Sequence, residues 1–407
     1  MKKNILILIS CAMVSGSYII AGFSLGVENI SAQICTKIIP TKKTMWRVGL
    51  ITNQSGVDQH GVRTVDILGR IGCNVIYIFA PEHGLSGVLA ERDVHDSVDE
   101  KTHIPVISLY GNGSGKMISA EYMNAIDMVV FDIQDSGMRH YTYISTLLHA
   151  MKIAAEFDKP FVVLDRPNPL GGLMQGPLVE PDLLSFISIA SIPLRHGMTI
   201  GEIAWYFNKH VLDRSAQLHV VTMRGYDRVN GFESGLLQQL SPNLQSLQSC
   251  YGYSFLGLLG EIEPFDVGVG TAMAFRCIAL PVAMHIPATT WKKLQGLLSS
   301  YGIQSFPYHH LNPKTNKQSK GLRLEFSVIT TVRSFELLID VLLFFKQSTI
   351  PFSFSAAFDK AVGTKRVKEV IAGNLPKEQF FVDVNRELQE FKQRAQKSFF
   401  YSPFPMY

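Results

Sequence analysis

The sequence predicts an α/β fold, a Rossmann-like parallel-sheet domain followed by a smaller α+β domain, on three observations. Short apolar runs alternate with helical patterns from Trp46 onward, as in βαβ units that feed a parallel sheet. Each run ends in a polar, turn-forming cluster. Around Ser241-Pro242-Asn243 the alternation stops, and strands and helices mix. With 407 residues, 46% of them hydrophobic and 18% charged, the chain suits two cores at about 100–200 residues per domain. These signals set a leader at 1–32, a Rossmann-like domain at 45–242 and a C-terminal domain at 243–407.

At the N-terminus, Lys2 and Lys3 precede an apolar stretch broken by Ser and Gly. This reads as a secretory leader, with export and cleavage near Ala32 expected. Too few apolar residues precede Cys11 to favour a lipid anchor there, and no later stretch suits a permanent transmembrane span. The expected strands are Val48 to Thr52, Val75 to Ala80, Pro105 to Leu109, Met128 to Ile133 and Phe161 to Leu164. Helices are expected over Gly61 to Gly72 and Tyr141 to Phe157, the latter carrying Ile144, Leu147, Leu148, Met151 and Ala155 at core-facing spacing. Thr199 and Glu202 fit a capping box ahead of Ile203, Ala204 and Phe207. The C-terminal part reads as a strand over Leu322 to Thr331, a helix over Phe335 to Lys346 and a charged helix near Lys377 to Lys397. Neither an internal repeat nor a low-complexity segment is present.

Several function classes are excluded. Lys+Arg 38 against Asp+Glu 34 gives a formal charge of +4 without a basic block, so nucleic acid is not expected as a partner. The five cysteines form no CxxC pair and no zinc spacing. Gly111 to Lys116 approaches a phosphate loop but has Tyr110 and Met117 at the flanking positions that need Gly and Ser or Thr, and Gly268-Val269-Gly270 lacks a third glycine. No cofactor is expected. His309-His310 lies in a polar stretch without a spaced third ligand and is expected to be solvated.

The carboxyl ends of parallel strands share one edge, where ligands bind at the topological switch point. That edge should gather Asn53, Glu82-His83, Asp132 to Asp135 and Asp165 to Asn168, with Arg139, Tyr141 and Tyr143 nearby. Arg195-His196 precedes the capping box and could receive an anionic group. Several carboxylates among Arg and Tyr suit glycoside hydrolysis, in which one acid protonates the leaving oxygen and another assists attack on the anomeric carbon. Asp132 and Asp165 could equally cap loops or pair with Arg139 and Arg166. A metal-dependent hydrolase using Asp132, Asp135 and His83 is a weaker alternative, because no ligand spacing specifies a metal.

The segments LITNQSGV, PEHG, SLYG, FDIQDSGMRHYTY, LDRPNPLGG, IPLRHGMTIGE and FDKAVGTKRVKEVI, in this order from about Val48 to the end, resemble the family first catalogued as domain of unknown function 1343. Its characterised members are exo-β-N-acetylmuramidases of peptidoglycan recycling. The resemblance implies release of N-acetylmuramic acid from peptidoglycan-derived saccharides. It makes Glu82 the general acid/base, with His83 orienting it or binding sugar and with Asp135 and Glu261 as further catalytic acids. It places Asn53, Asp132, Gln134, Arg139, Tyr141, Tyr143, Asp165, Arg166, Asn168, Arg195 and His196 in the binding edge, where one arginine would meet the lactyl carboxylate. The pattern departs at Ser86, Pro264, Val269 and Arg276, so a non-catalytic sugar-binding protein is the competing reading.

Overall fold

A computed structural model describes residues 22–40, 45–89, 94–111, 114–228, 240–327 and 331–402. Lys2, Lys3 and Cys11 of the expected leader, Asn112 and Gly113 of the glycine-rich stretch, and Val328 to Thr330 of an expected strand lie outside the described residues.

In chain order the first domain holds α1 (Gly26–Asn29), α2 (Ala32–Ile38), β1 (Trp46–Thr52), α3 (Thr64–Arg70), β2 (Cys73–Ala80), β3 (Ser97–Val98), β4 (Pro105–Ser108), β5 (Tyr110–Gly111) and β6 (Ser114–Gly115). It continues with α4 (Ala120–Ala125), β7 (Met128–Asp132), α5 (Tyr143–Glu156), β8 (Pro160–Leu164), α6 (Ile200–His210) and β9 (Gln217–Val221). Seven strands form one sheet in the order β3-β4-β2-β1-β7-β8-β9, parallel except where β3 runs against β4. The order grows outward in both directions from β1 and β7, so the switch point lies between them. Every residue of β7 and β8 is buried, which is why both read as unbroken apolar runs.

The pleat sends Val129, Phe131, Phe161 and Val163 to one face and Met128, Val130, Val162 and Leu164 to the other. The first face packs on α5 and α6 in a core that continues into the second domain. The second face is covered by α3 together with Leu25, Val27, Ile30 and Cys35. Gly26 lies so close to the sheet that a Cβ there would come within 2.3 Å of the Asp165 amide nitrogen, and the Gly26 amide donates to the Asp165 carbonyl at 3.0 Å.

The expected leader end at Ala32 therefore falls inside a folded segment, and the domain begins well before residue 45. A chain starting after Ala32 would lose three core side chains, each worth about 1.5–3 kcal/mol on burial. Removing residues 1–32 is expected to lower the urea midpoint sharply, whereas removing 1–21 leaves these contacts whole. Equal midpoints for the two truncations would show that the docked segment contributes nothing.

The second domain runs through α7 (Leu247–Leu259), β10 (Ile262–Glu263), β11 (Cys277–Pro281), α8 (Ala288–Ser300), β12 (Ile303–Asn312), β13 (Lys317–Phe326), α9 (Ser334–Gln347), β14 (Ser353–Phe354), α10 (Phe358–Val362), α11 (Arg366–Ala372) and α12 (Lys377–Ala395). Its three-stranded antiparallel sheet has the order β11-β13-β12, and β12 and β13 form a long hairpin. Helix α7 lies over the carboxyl edge of the first sheet. There the Cys250 thiol meets the Ser136 carbonyl at 3.5 Å, and a Cβ at Gly257 would come within 2.7 Å of the His140 ring.

Candidate active site

Three strand-end loops build the site. After β1, Asn53 Oδ1 accepts from the Ser55 amide at 3.0 Å and its hydroxyl at 2.6 Å. Ser55 Oγ in turn accepts from the Gln134 amide at 2.9 Å, across the switch point. Gln134 closes the next loop by donating to the Asp135 and Pro167 carbonyls. After β2, Pro81 to Gly87 form consecutive tight turns in which His83 takes φ 72°, uncommon for a residue with a side chain. Its Nδ1 donates to the Leu89 carbonyl at 3.0 Å, which leaves Nε2 as the acceptor of the neutral ring. This turn lifts Glu82 to the edge, half-buried, where Thr142 Oγ1 at the start of α5 donates to its Oε2 at 2.6 Å.

Asp135, on the loop after β7, is nearly fully buried. Its Oδ2 accepts from the Gly137 amide at 2.7 Å and from His196 Nε2 at 3.1 Å. His196 Nδ1 accepts from the Met198 amide at 3.2 Å, so the proton sits on Nε2 and points at the carboxylate. Asp135 Oδ1 is buried with no hydrogen-bond partner among the described residues. Tyr141 and Tyr143 are packed edge to face at 4.6 Å, and both hydroxyls donate to the Leu240 carbonyl, at 3.0 and 3.1 Å. Gln54 Nε2 donates to the same carbonyl.

The second domain supplies Glu261, just past α7. Its Oε2 accepts from Ser355 Oγ at 2.9 Å. Tyr253 of α7 donates its hydroxyl proton to the His140 carbonyl at 3.4 Å. Its hydroxyl is pushed well above the usual range by burial first, then by the charges of Glu82, Glu261 and Asp135. Its ring packs on His140 at 4.6 Å and on Phe275 at 4.9 Å. His140 is buried, with neither ring nitrogen paired among the described residues. Burial, with Arg139 beside it, pushes its pKa down to about 3, so the ring is neutral.

Other expected site residues do different work. Asp132 is wholly buried in a bidentate pair with Arg166, at 2.5 and 2.8 Å, and also accepts from Thr64 Oγ1. Arg166 further donates to the Val57 carbonyl, so this pair locks the loop after β1 and is not available to a metal. Asn168 is spent on the Leu170 amide and the Met198 carbonyl. Arg195 is buried against the Leu170 and Val332 carbonyls. Arg139 donates to the Pro177, Ile192 and Val362 carbonyls, each at 2.7 Å, and to Ser188 Oγ. Burial without a carboxylate partner lowers its pKa to about 9. The expectation that Arg139, Arg166 or Arg195 meets a substrate carboxylate is thus corrected: all three guanidinium groups hold the protein together.

Asp165 leaves the cleft as well. It accepts from the Arg166 amide, Thr199 Oγ1, the Gly201 amide and Tyr401 Oη at 2.7–2.9 Å. Glu202 forms the expected capping box with Thr199, and it also pairs with Arg228 and accepts from the Phe400 amide. Burial raises the Asp165 pKa from 3.8 to about 7. The folded chain therefore holds a proton that the unfolded chain releases, so this group makes stability fall as pH rises from about 4 to 7. Asp165→Asn is expected to flatten that slope in urea midpoints measured between pH 4.5 and 7.5. An unchanged slope would place the titration elsewhere.

Sequence reasoning missed Thr142 and Tyr253 and gave His140 no role. Thr142 and His140 stand inside FDIQDSGMRHYTY, whereas Tyr253 is carried by an apolar helix with no motif of its own. Of the pair expected to be solvated, His309 is exposed, whereas the His310 side chain is 8% exposed with Nε2 2.9 Å from Asp266 Oδ2. Among the described residues no cluster of three or more His, Cys, Asp or Glu could hold a metal ion. A groove of about 870 Å³ lies elsewhere, lined by Gln175, Phe335, Phe381 and Lys392, and holds none of the three acids.

Family models described as the N-terminal and C-terminal parts of the exo-beta-N-acetylmuramidase NamZ match residues 48–248 and 251–401. The peptidoglycan beta-N-acetylmuramidase NamZ of Bacillus subtilis is 32% identical over 98% of this chain and 100% of its own length. Two crystal structures of DUF1343 family proteins from Bacteroides fragilis superpose with TM-scores of 0.79 and 0.70, at 30% and 26% identity. Each covers 93% of this chain and 99% of the compared one. With both halves matched and a full-length relative above 30% identity, the chain belongs to the NamZ exo-β-N-acetylmuramidase family of glycoside hydrolases.

Proposed function

We propose that this chain is an exo-acting β-N-acetylmuramidase that releases terminal N-acetylmuramic acid from peptidoglycan fragments, that it works outside the cytoplasm, and that it serves cell-wall recycling. The reading is carried by Asp135 Oδ1, a buried carboxylate oxygen with no hydrogen-bond partner among the described residues, on the switch-point edge where Glu82 also stands. Glu82 is the acid best placed to reach a glycosidic oxygen, because it is half-exposed and bonded to a hydroxyl that leaves Oε1 to the cleft. In protonated form it donates to the leaving oxygen as the C–O bond breaks. Asp135, held by His196 and Gly137, has Oδ1 available to accept a hydrogen bond from the group that attacks the anomeric carbon.

Export rests on the N-terminal pattern of Lys2 and Lys3 followed by an apolar stretch. No helix among the described residues is long and apolar enough to cross a membrane. The test is release of chromophore from an aryl β-N-acetylmuramide beside the matching β-N-acetylglucosaminide. Muramide-selective turnover supports the proposal. Binding of the muramide without turnover would restore the sugar-binding reading.

A further inference from the structure

The sequence offers no cysteine motif, yet the fold brings two distant cysteines together. Cys35 on α2 and Cys73 at the start of β2 lie 38 positions apart, with their sulfurs 3.8 Å from each other. Both are buried, Cys35 completely and Cys73 at 5% exposure. A disulfide needs the sulfurs about 2.05 Å apart, so closure asks for a movement of about 1.8 Å, within reach of small χ1 adjustments at both residues. Their neighbours are apolar: Leu25, Val27, Ile30, Trp46 and Val75 belong to the same core cluster. Cys250 and Cys277 are buried elsewhere and have no cysteine at contact distance among the described residues.

We propose that Cys35 and Cys73 are a disulfide-forming site that staples the N-terminal segment to the central sheet when the chain folds in an oxidising compartment. The proposal rests on the export reading for its setting, not for its chemistry. The oxidant is a protein or small-molecule disulfide. The Cys35 thiolate attacks one of its sulfurs and releases the first oxidant thiol. The Cys73 thiolate then attacks the Cys35 sulfur and releases the second. Two protons and two electrons leave the cysteines and end on the reduced oxidant. Both sulfurs are inaccessible in the folded protein, so exchange takes place before α2 docks, and burial then shields the bond from reductant.

The segment that the link would hold is short. α1 and α2 have four and seven residues, too short to hold helical structure alone, and they cover an apolar sheet face that water would otherwise reach. A covalent link closing this loop removes unfolded-state entropy and so favours the docked segment.

The experiment refolds the full chain from urea in mixed oxidised and reduced glutathione, and in dithiothreitol as the reduced control. Thiols are trapped under denaturing conditions and cross-linked peptides are mapped by mass spectrometry. The expected result is a loss of two mass units, one peptide pair joining Cys35 to Cys73, free Cys250 and Cys277, and a Tm about 5 °C above the reduced form. Cys35→Ser should remove both the link and the difference in Tm. Reduced Cys35 and Cys73 in folded wild type after oxidative refolding, or either one joined to a different cysteine, would overturn the proposal. Because glutathione supplies the oxidant, this outcome is independent of export, which cell fractionation tests separately.

Discussion

Glu82→Gln is expected to lower kcat/KM on a β-N-acetylmuramide by roughly 10²–10⁴, the range that one positioned general acid contributes. The substitution conserves shape, and the amide oxygen can still accept from Thr142 Oγ1, so the turn after β2 and the thermal stability should persist. What disappears is a proton that can be given to a departing sugar oxygen. An aryl leaving group of low pKa needs that proton less, so the loss should be smallest for nitrophenyl muramides and largest for a natural disaccharide. That dependence separates acid catalysis from simple disturbance of the pocket, which would depress all substrates alike. A variant within tenfold of wild type on the disaccharide would transfer the role to Glu261 or Asp135.

Arg139→Met carries the largest expected cost in stability, roughly 3–5 kcal/mol, because it strips donors from several buried carbonyls at once. The side chain is fully buried, and its NH2 group reaches Ala361 and Val362, 222 and 223 positions away at the C-terminal end of α10. A helix C-terminus presents unsatisfied carbonyls and partial negative charge, so a guanidinium is well matched to it. Gly363, at φ 82°, makes the approach possible, since a Cβ there would lie 2.4 Å from the same nitrogen. Two distant motifs, FDIQDSGMRHYTY and FDKAVGTKRVKEVI, thus meet as one joint between domains. Urea unfolding of the variant should show a lower midpoint and a split transition as the domains uncouple. A cost below about 1 kcal/mol would mean that the carbonyls find other donors, in keeping with a satisfied hydrogen bond's modest net worth.

The architecture was legible because the sheet is built from buried parallel strands whose apolar runs are hard to hide. β1, β2, β4, β7 and β8 begin and end within two residues of where the patterns place them. The docked α1 and α2 were not legible, since four and seven residues of mixed polarity carry too short a pattern to mark a helix that packs on a sheet. Within the site, charge alone could not separate roles. Asp132, Asp135 and Asp165 all follow apolar strands, yet one pairs with arginine, one faces the cleft beside His196 and one anchors Tyr401. The three expected arginines share this ambiguity, because a guanidinium that binds a carboxylate and one that gathers main-chain carbonyls look identical in a sequence. Glu82 stood out because neither turn chemistry nor capping calls for glutamate after Pro81.

The anchoring of Tyr401 on Asp165 also bears on how the protein is made. The two residues are separated by 236 positions, so at about 5–20 residues per second the ribosome needs roughly 10–50 s to deliver the second after the first. Until then Asp165 and Glu202 lack their last partners, and the edge of the sheet near β8 stays incomplete. The first domain thus gains its last side-chain contacts only after the C-terminal segment has been made, so its final rigidity is a property of the whole polypeptide and not of its first half.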